Sequence, residues 1–173
     1  QWYESRDGVF CQWDWHMSEF TRLANLIPWE RRKIEAVFRG SFQGSSSFTA
    51  NGEPKYTLIQ PNTWSVLGRT HLRLMADRYP LHLDVRLQDL ARYEKTLVGY
   101  PHMDDDENGK YFLSLLEQVQ QFKYQIVVEG HCGWADRLKV LLHSTAAIFL
   151  QETYCHEYYR FFLKPWIHYI PIK

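Results

Sequence analysis

Apolar residues in this chain come in short bursts, and the bursts alternate between two spacings. A spacing near 3.6 residues marks an amphipathic helix; a spacing of two, or a short unbroken apolar run, marks a strand. Ser18 can cap a helix over residues 18–26 that puts Phe20, Leu23, Ala24 and Ile27 on one side. Ahead of it, Trp2, Tyr3, Phe10, Trp13 and Trp15 follow no clean period, so residues 1–17 are expected to be irregular. After the turn Pro28-Trp29-Glu30-Arg31-Arg32-Lys33, residues 34–38 read as a strand that runs into Arg39-Gly40-Ser41. Thr63 suits the N-cap of a helix over 64–79, which Pro80 ends, and 81–86 alternates as a half-exposed strand does. From Lys110, Tyr111, Phe112, Leu115, Leu116, Val119 and Phe122 recur at helical spacing. A strand over 124–128, a glycine turn, a helix to about His143 and a strand over 146–150 follow. Tyr154, Tyr158, Tyr159, Phe162 and Leu163 suit a helix or a long aromatic loop, and 167–172 reads as a last strand.

Strands alternating with helices imply an α/β fold: an open, mainly parallel, Rossmann-like sheet with right-handed crossovers. No internal repeat is visible, and the polar stretch 43–61 is an internal loop rather than a domain boundary. The 173 residues are enough for one domain, and 45% hydrophobic residues supply its core. The formal net charge of zero argues against a nucleic-acid partner, which calls for a basic excess. The chain starts with Gln rather than Met, and is read as a fragment of a longer product. Its three cysteines are too few for a disulfide scaffold and do not identify a compartment.

The stretch Glu129-Gly130-His131-Cys132-Gly133-Trp134-Ala135-Asp136-Arg137 carries the most chemistry. A buried strand, a turn with two glycines and a helix start form the usual setting for a diphosphate. Glycine admits close backbone approach, helix-start N–H groups lack internal partners, and Arg137 adds a forked cationic donor. Gly130 and Gly133 do not complete G-x-G-x-x-G, and on spacing alone a structural turn is the stronger reading than a nucleotide site. Glu152, just past a strand, is placed to accept ribose hydroxyls or to sit solvated. Asp104-Asp105-Asp106 reads as an acidic solvated turn: a calcium loop would need Glu where Leu115 stands, and a metal-binding D-x-D belongs at the end of a buried strand. His131, Cys132, His143, Cys155 and His156 lack zinc-ligand spacing, and no G-x-S-x-G elbow marks a serine hydrolase.

Three blocks in order are more specific than any one of these. Pro28-Trp29-Glu30-Arg31 with Ala36-Val37-Phe38-Arg39-Gly40-Ser41 resembles the "PW…R…FRGS" block of glycosyltransferase family 90, the protein O-glucosyltransferases and capsule-associated xylosyltransferases. Lys123-Tyr124, Glu129-Gly130 and Arg137-Leu138-Lys139 are similar to its "KY…G…R.K" block. Leu163-Lys164-Pro165-Trp166-Ile167-His168-Tyr169-Ile170-Pro171-Ile172 is similar to its "LKPWVHY.PV" ending.

The resemblance implies the carboxyl-side, donor-binding half of a two-domain GT-B enzyme, truncated. Residues 1–27 would lead in from a missing N-terminal domain, and 28–173 would form the nucleotide-sugar domain without its last helices. It implies a UDP-sugar donor, transfer of glucose or xylose to a protein serine or a glycan hydroxyl, and a secretory-pathway location in the ER lumen or Golgi. No covalent cofactor is implied, a metal requirement stays open, and membrane attachment would come only through segments outside this chain. Carried over, Arg39, Gly40 and Ser41 match the family's donor loop; Gly130, Gly133, Trp134, Ala135, Asp136 and Arg137 match its nucleotide loop, with Arg137 on the diphosphate. The turn from Gly130 to Arg137 is longer than the family's, with Cys132-Gly133-Trp134-Ala135-Asp136 where "AAS" is usual. The family's catalytic aspartate lies upstream, so this piece alone is expected to be inactive. A non-catalytic carbohydrate- or protein-binding module that kept the fold is the alternative.

Overall fold

The computed structural model describes residues 9–41, 47–48, 54–55, 68–88, 113–128, 137–152 and 157–172. Its centre is a five-stranded sheet in which every neighbouring pair is parallel. Strands β1 (Lys33–Ser41), β4 (Leu83–Gln88), β5 (Phe122–Val127), β6 (Ala147–Gln151) and β7 (Ile170–Ile172) lie in the order β4-β1-β5-β6-β7. A two-stranded antiparallel ribbon, β2 (Ser47–Phe48) with β3 (Pro54–Lys55), lies in the β1-to-β4 connection.

Among the described residues, four helices accompany the sheet: α1 (Val9–Ala24), α2 (Gly68–Arg78), α3 (Leu115–Gln121) and α4 (Arg137–Leu141). Strand side chains alternate between faces, so each face gathers its own core. Ala36, Phe38, Val85, Leu87 and Ile126 pack with Ala76 and Leu72 of α2. Ile148 and Leu150 pack on the other face with Ala24 of α1, Val119 of α3 and Leu138 and Leu141 of α4. Helices on both faces are what a parallel sheet demands, because its central strands must be covered twice.

Local chemistry sets the boundaries. Ser114 caps α3 in a complete capping box: its hydroxyl accepts from the Glu117 N–H at 3.2 Å, and its own N–H donates to the Glu117 carboxylate at 2.7 Å. The Ser114 hydroxyl, which donates to the same carboxylate at 2.8 Å, and after it the Ser114 N–H hold the Glu117 carboxyl below its ordinary pKa. The cap starts the helix at Leu115, and Phe122 begins β5 rather than ending the helix. Strand β1 extends through Ser41, past the expected end at Phe38, because it stays in register with β4 up to Ser41 opposite Gln88. β4 begins at Leu83, since the His82 and Leu83 N–H groups close a turn on the Tyr79 carbonyl.

Two expectations are corrected. Residues 9–17 are helical, and Ser18 lies inside α1 rather than at its start. Met17 and Ala24 are buried at helical spacing, while Trp15 is 65% exposed and interrupts the pattern that a sequence reader follows. The last strand is only Ile170–Ile172. Residues 166–168 form a turn in which the Lys164 carbonyl takes the N–H groups of Ile167 and His168, and the Lys164 N–H donates to His168 Nδ1 at 2.8 Å. Trp166 holds φ at 66° there, in the left-handed region that a bulky side chain rarely adopts. The aromatic stretch ahead of it contains a 3-10 turn, Tyr158–Phe162. The expected cap at Thr63 and the acidic run at 104–107 lie outside the described residues.

Candidate functional site

After β1 the chain places its next sheet strand, β4, on one side, and all later strands on the other. That reversal falls between β1 and β5, whose crossovers lead to opposite sides along the sheet. Open α/β sheets bind ligands at such a point. Arg39 and Gly40 stand at the carboxyl end of β1, and Arg137 begins α4 after the segment that follows β5. The structure thus brings two sequence-separated candidates to one edge of the sheet.

Arg137 is the candidate side chain whose surroundings at this edge are best defined. Its Nη2 donates to the Arg39 carbonyl, and its Nη1 to Gln118 Oε1 at 3.4 Å. Its guanidinium also lies over the Phe38 ring, 4.9 Å from the centroid. All three partners are neutral, so they orient the cation without cancelling its charge. Burial, and behind it the like charge of Arg69, pull the Arg137 pKa down to about 10, which still leaves a cation at neutral pH. α4 ends at Leu141 rather than at about His143. The positive charge here comes from the side chain.

Arg39 is turned the other way. Its Nη2 pairs with Asp84 Oδ2 at 2.8 Å, and its Nη1 donates to the Asp84 and Phe38 carbonyls at 2.8 and 3.1 Å. Asp84 also faces Arg86 at 3.8 Å. The Arg39 side chain is only 7% exposed, so its charge is engaged inside the sheet and its carbonyl seats Arg137. Gly40 has a separate reason to be glycine: a Cβ there would stand 2.7 Å from Phe38 Cζ. Phe38 can fold over the strand end only because Gly40 leaves that space.

Gln118 shows how the far wall is built. It is 1% exposed, donates through Nε2 to the Leu113 carbonyl at 2.7 Å, and presents its Oε1 to Arg137. Its own carbonyl accepts from Gln125 Nε2 at 3.0 Å, which ties α3 to β5. On the remaining side, the Gln151 amide at the end of β6 sits against Gly68, where a Cβ would come within 3.1 Å of it. Glu152 follows, exposed, with its N–H on the Ile172 carbonyl at 2.8 Å. Gly130, Gly133, Trp134, Ala135 and Asp136 lie outside the described residues, as does the side chain of Ser41. Among the described residues no group of three or more His, Cys, Asp or Glu is gathered as metal ligands would be.

Sequence reasoning missed Phe38, Arg69 and Gln118 as members of this edge. Gln118 left a signal, a polar residue on the apolar stripe formed by Leu115, Val119 and Phe122. Phe38 looked like any core residue, and only the fold shows that its ring carries two guanidinium groups, Arg137 and Arg69.

The model of glycosyl transferase family 90 matches residues 2–173. The chain belongs to glycosyl transferase family 90. It is also 26% identical over 163 residues to an "O-glucosyltransferase rumi homolog" of Aedes aegypti, a match that covers 94% of this chain and 33% of that protein. The chain therefore spans about a third of the length of this curated relative. Among the described residues, no helix of this family 90 chain is long and apolar enough to cross a membrane.

Proposed function

We propose that this chain is the donor-binding part of a transferase that moves glucose or xylose from a UDP-sugar to a protein serine or a glycan hydroxyl. The observation that carries this reading is Arg137, a cation fixed by neutral partners at the β1/β5 switch point. A diphosphate leaving group gathers negative charge as the sugar departs, and a preorganised cation in partly dry surroundings stabilises that charge more than it stabilises the intact donor. In this reading the Gly130–Asp136 segment supplies backbone N–H groups to the phosphates, Glu152 takes the ribose hydroxyls, and Gly40 and Ser41 line the donor at the end of β1. Arg39 acts as a positioning residue through Asp84 and its carbonyl. The general base comes from outside this chain, and the whole enzyme works in the ER lumen or Golgi.

Calorimetric titration of UDP into the full-length protein tests the assignment. Arg137→Ala should lower UDP affinity by about 1.5–3 kcal/mol, the worth of a hydrogen bond to a charged group. Unchanged affinity in that variant would remove Arg137 from the site.

A second reading, a binding module without transfer activity, draws on Tyr158, Phe161, Phe162 and Trp166, each at least 75% exposed. Sugar release from UDP-glucose or UDP-xylose by the full-length protein decides between the two.

A further inference from the structure

Gln118 is a polar side chain in a place built for an apolar one. It is 1% exposed and stands in α3 next to the fully buried Val119. A buried amide is costly unless its donor and its acceptor are both bonded. Here the two ends of the amide face opposite requirements. On one side the Leu113 carbonyl, which only accepts, lies 2.7 Å from Nε2. On the other the Arg137 guanidinium, which only donates, places Nη1 3.4 Å from Oε1. A neutral side chain that donates at one end and accepts at the other meets both. Glutamate in the same shape would set an oxygen against the Leu113 carbonyl and would cancel the charge of Arg137. Methionine would fill the space and bond neither.

The main chain of Gln118 is held as firmly as its side chain. Its N–H donates to the carbonyl of Ser114, the capping residue of α3, at 3.0 Å. Its carbonyl accepts from the Phe122 N–H and, at 3.0 Å, from Nε2 of Gln125 on β5, itself 1% exposed. The amide is therefore fixed to both α3 and β5 before it meets Arg137. At the guanidinium, Nη2 rests on the Arg39 carbonyl and Nη1 on Gln118, so the fork is held at both tips. A cation oriented in advance loses less freedom when its ligand arrives.

We propose that Gln118 is a positioning residue for the donor site: it holds the fork of Arg137 without neutralising it, so the guanidinium meets an anionic leaving group already oriented and still charged. This rests on the donor-site reading given above and adds to it a residue that touches no ligand itself. It also explains the choice of an amide over a carboxylate at residue 118. Gln118→Glu should weaken UDP binding about tenfold or more, because the added charge offsets that of Arg137 and repels the diphosphate. Gln118→Met leaves the cation charged but held at one tip, and should weaken UDP about threefold to tenfold. Uridine, which has no phosphate, should move less than about threefold in either variant.

Calorimetry with UDP and uridine on the full-length protein tests this, with thermal melts to confirm that each variant is folded; either substitution carries the test alone if the other does not fold. A double-mutant cycle supplies the readout that a merely structural role would not give. In the Arg137→Ala background, Gln118→Met should change UDP affinity less than about twofold, since the group it positions is gone. If Arg137→Ala weakens UDP but the Gln118 variants bind UDP as the wild type does, or lose uridine as much as UDP, the donor site stands and the role of Gln118 is overturned. A Gln118→Met loss that persists in full in the Arg137→Ala background overturns it too. If the wild type does not bind UDP, or Arg137→Ala leaves its affinity unchanged, the donor-site reading fails, and the role of Gln118 with it.

Discussion

Phe38→Ala should destabilise the domain by about 3–5 kcal/mol, the range for deleting a fully buried aromatic side chain. Phe38 is 1% exposed and packs among Ala36, Ala76, Val85, Leu87 and Ile126, so the hole would open between β1, β4, β5 and α2. Little can collapse into it: Gly40 has no side chain to offer, and Ala36 and Ala76 are already small. The same change takes away the ring beneath Arg69 and Arg137, so UDP affinity should fall further than stability alone requires. Phe38→Leu separates the two effects. It refills most of the volume and should recover most of the stability, yet it leaves the arginines without a π-face. Urea unfolding of wild type and both variants, followed by UDP titration, measures each effect; an alanine variant losing under about 1 kcal/mol would contradict this packing.

Arg32→Ala should cost about 2–4 kcal/mol, for a different reason. Arg32 is 4% exposed, and among the described residues no carboxylate is bonded to it. Its Nε and Nη2 donate to the Ile27 carbonyl at 3.0 and 2.8 Å, and Nη2 also reaches the Ala24 carbonyl at 3.0 Å and Thr145 Oγ1 at 3.0 Å. These bonds tie the end of α1 and the turn after it to the loop before β6. The last carbonyls of a helix have no partners of their own, and this side chain supplies one. Truncation would strand those acceptors at about 1–3 kcal/mol each, offset in part by removing a buried cation whose Nη1 has no partner among the described residues. Arg32→Lys offers a single point charge in place of the fork and should fall between the two. Denaturation of the three proteins checks the order. An alanine variant as stable as wild type would mean that desolvation of the cation outweighs its bonds.

The hydrophobic pattern carried the sheet far but lost detail where tertiary contacts overrode it. β1, β5 and β6 are buried runs with one readable origin, and each lies within a few residues of its expected bounds. Nothing in the periodicity specifies the order β4-β1-β5-β6-β7, because order depends on which way each crossover turns. The start of α1 was hidden by an exposed Trp15, since an aromatic residue at the surface looks like core in a sequence. The place of Arg137 was legible from a strand, a glycine turn and a basic helix start. The orientation of Arg39 was not, because Asp84 lies 45 residues away in the chain and meets it only through β1–β4 pairing. Arg69 left no trace, because the expected helix over 64–79 put it past the first turn; only the fold sets it on the same ring as Arg137.

We place the diphosphate of the donor at the carboxyl edge between β1 and β5. Hydrogen exchange of the full-length protein, with and without UDP, tests it most directly, because each edge of the sheet is read separately. The account predicts slowed exchange in residues 37–41 and 137–141 on addition of UDP, with residues 27–34 at the opposite edge unchanged. UDP binding that slows exchange at 27–34 and leaves 37–41 and 137–141 untouched would contradict it.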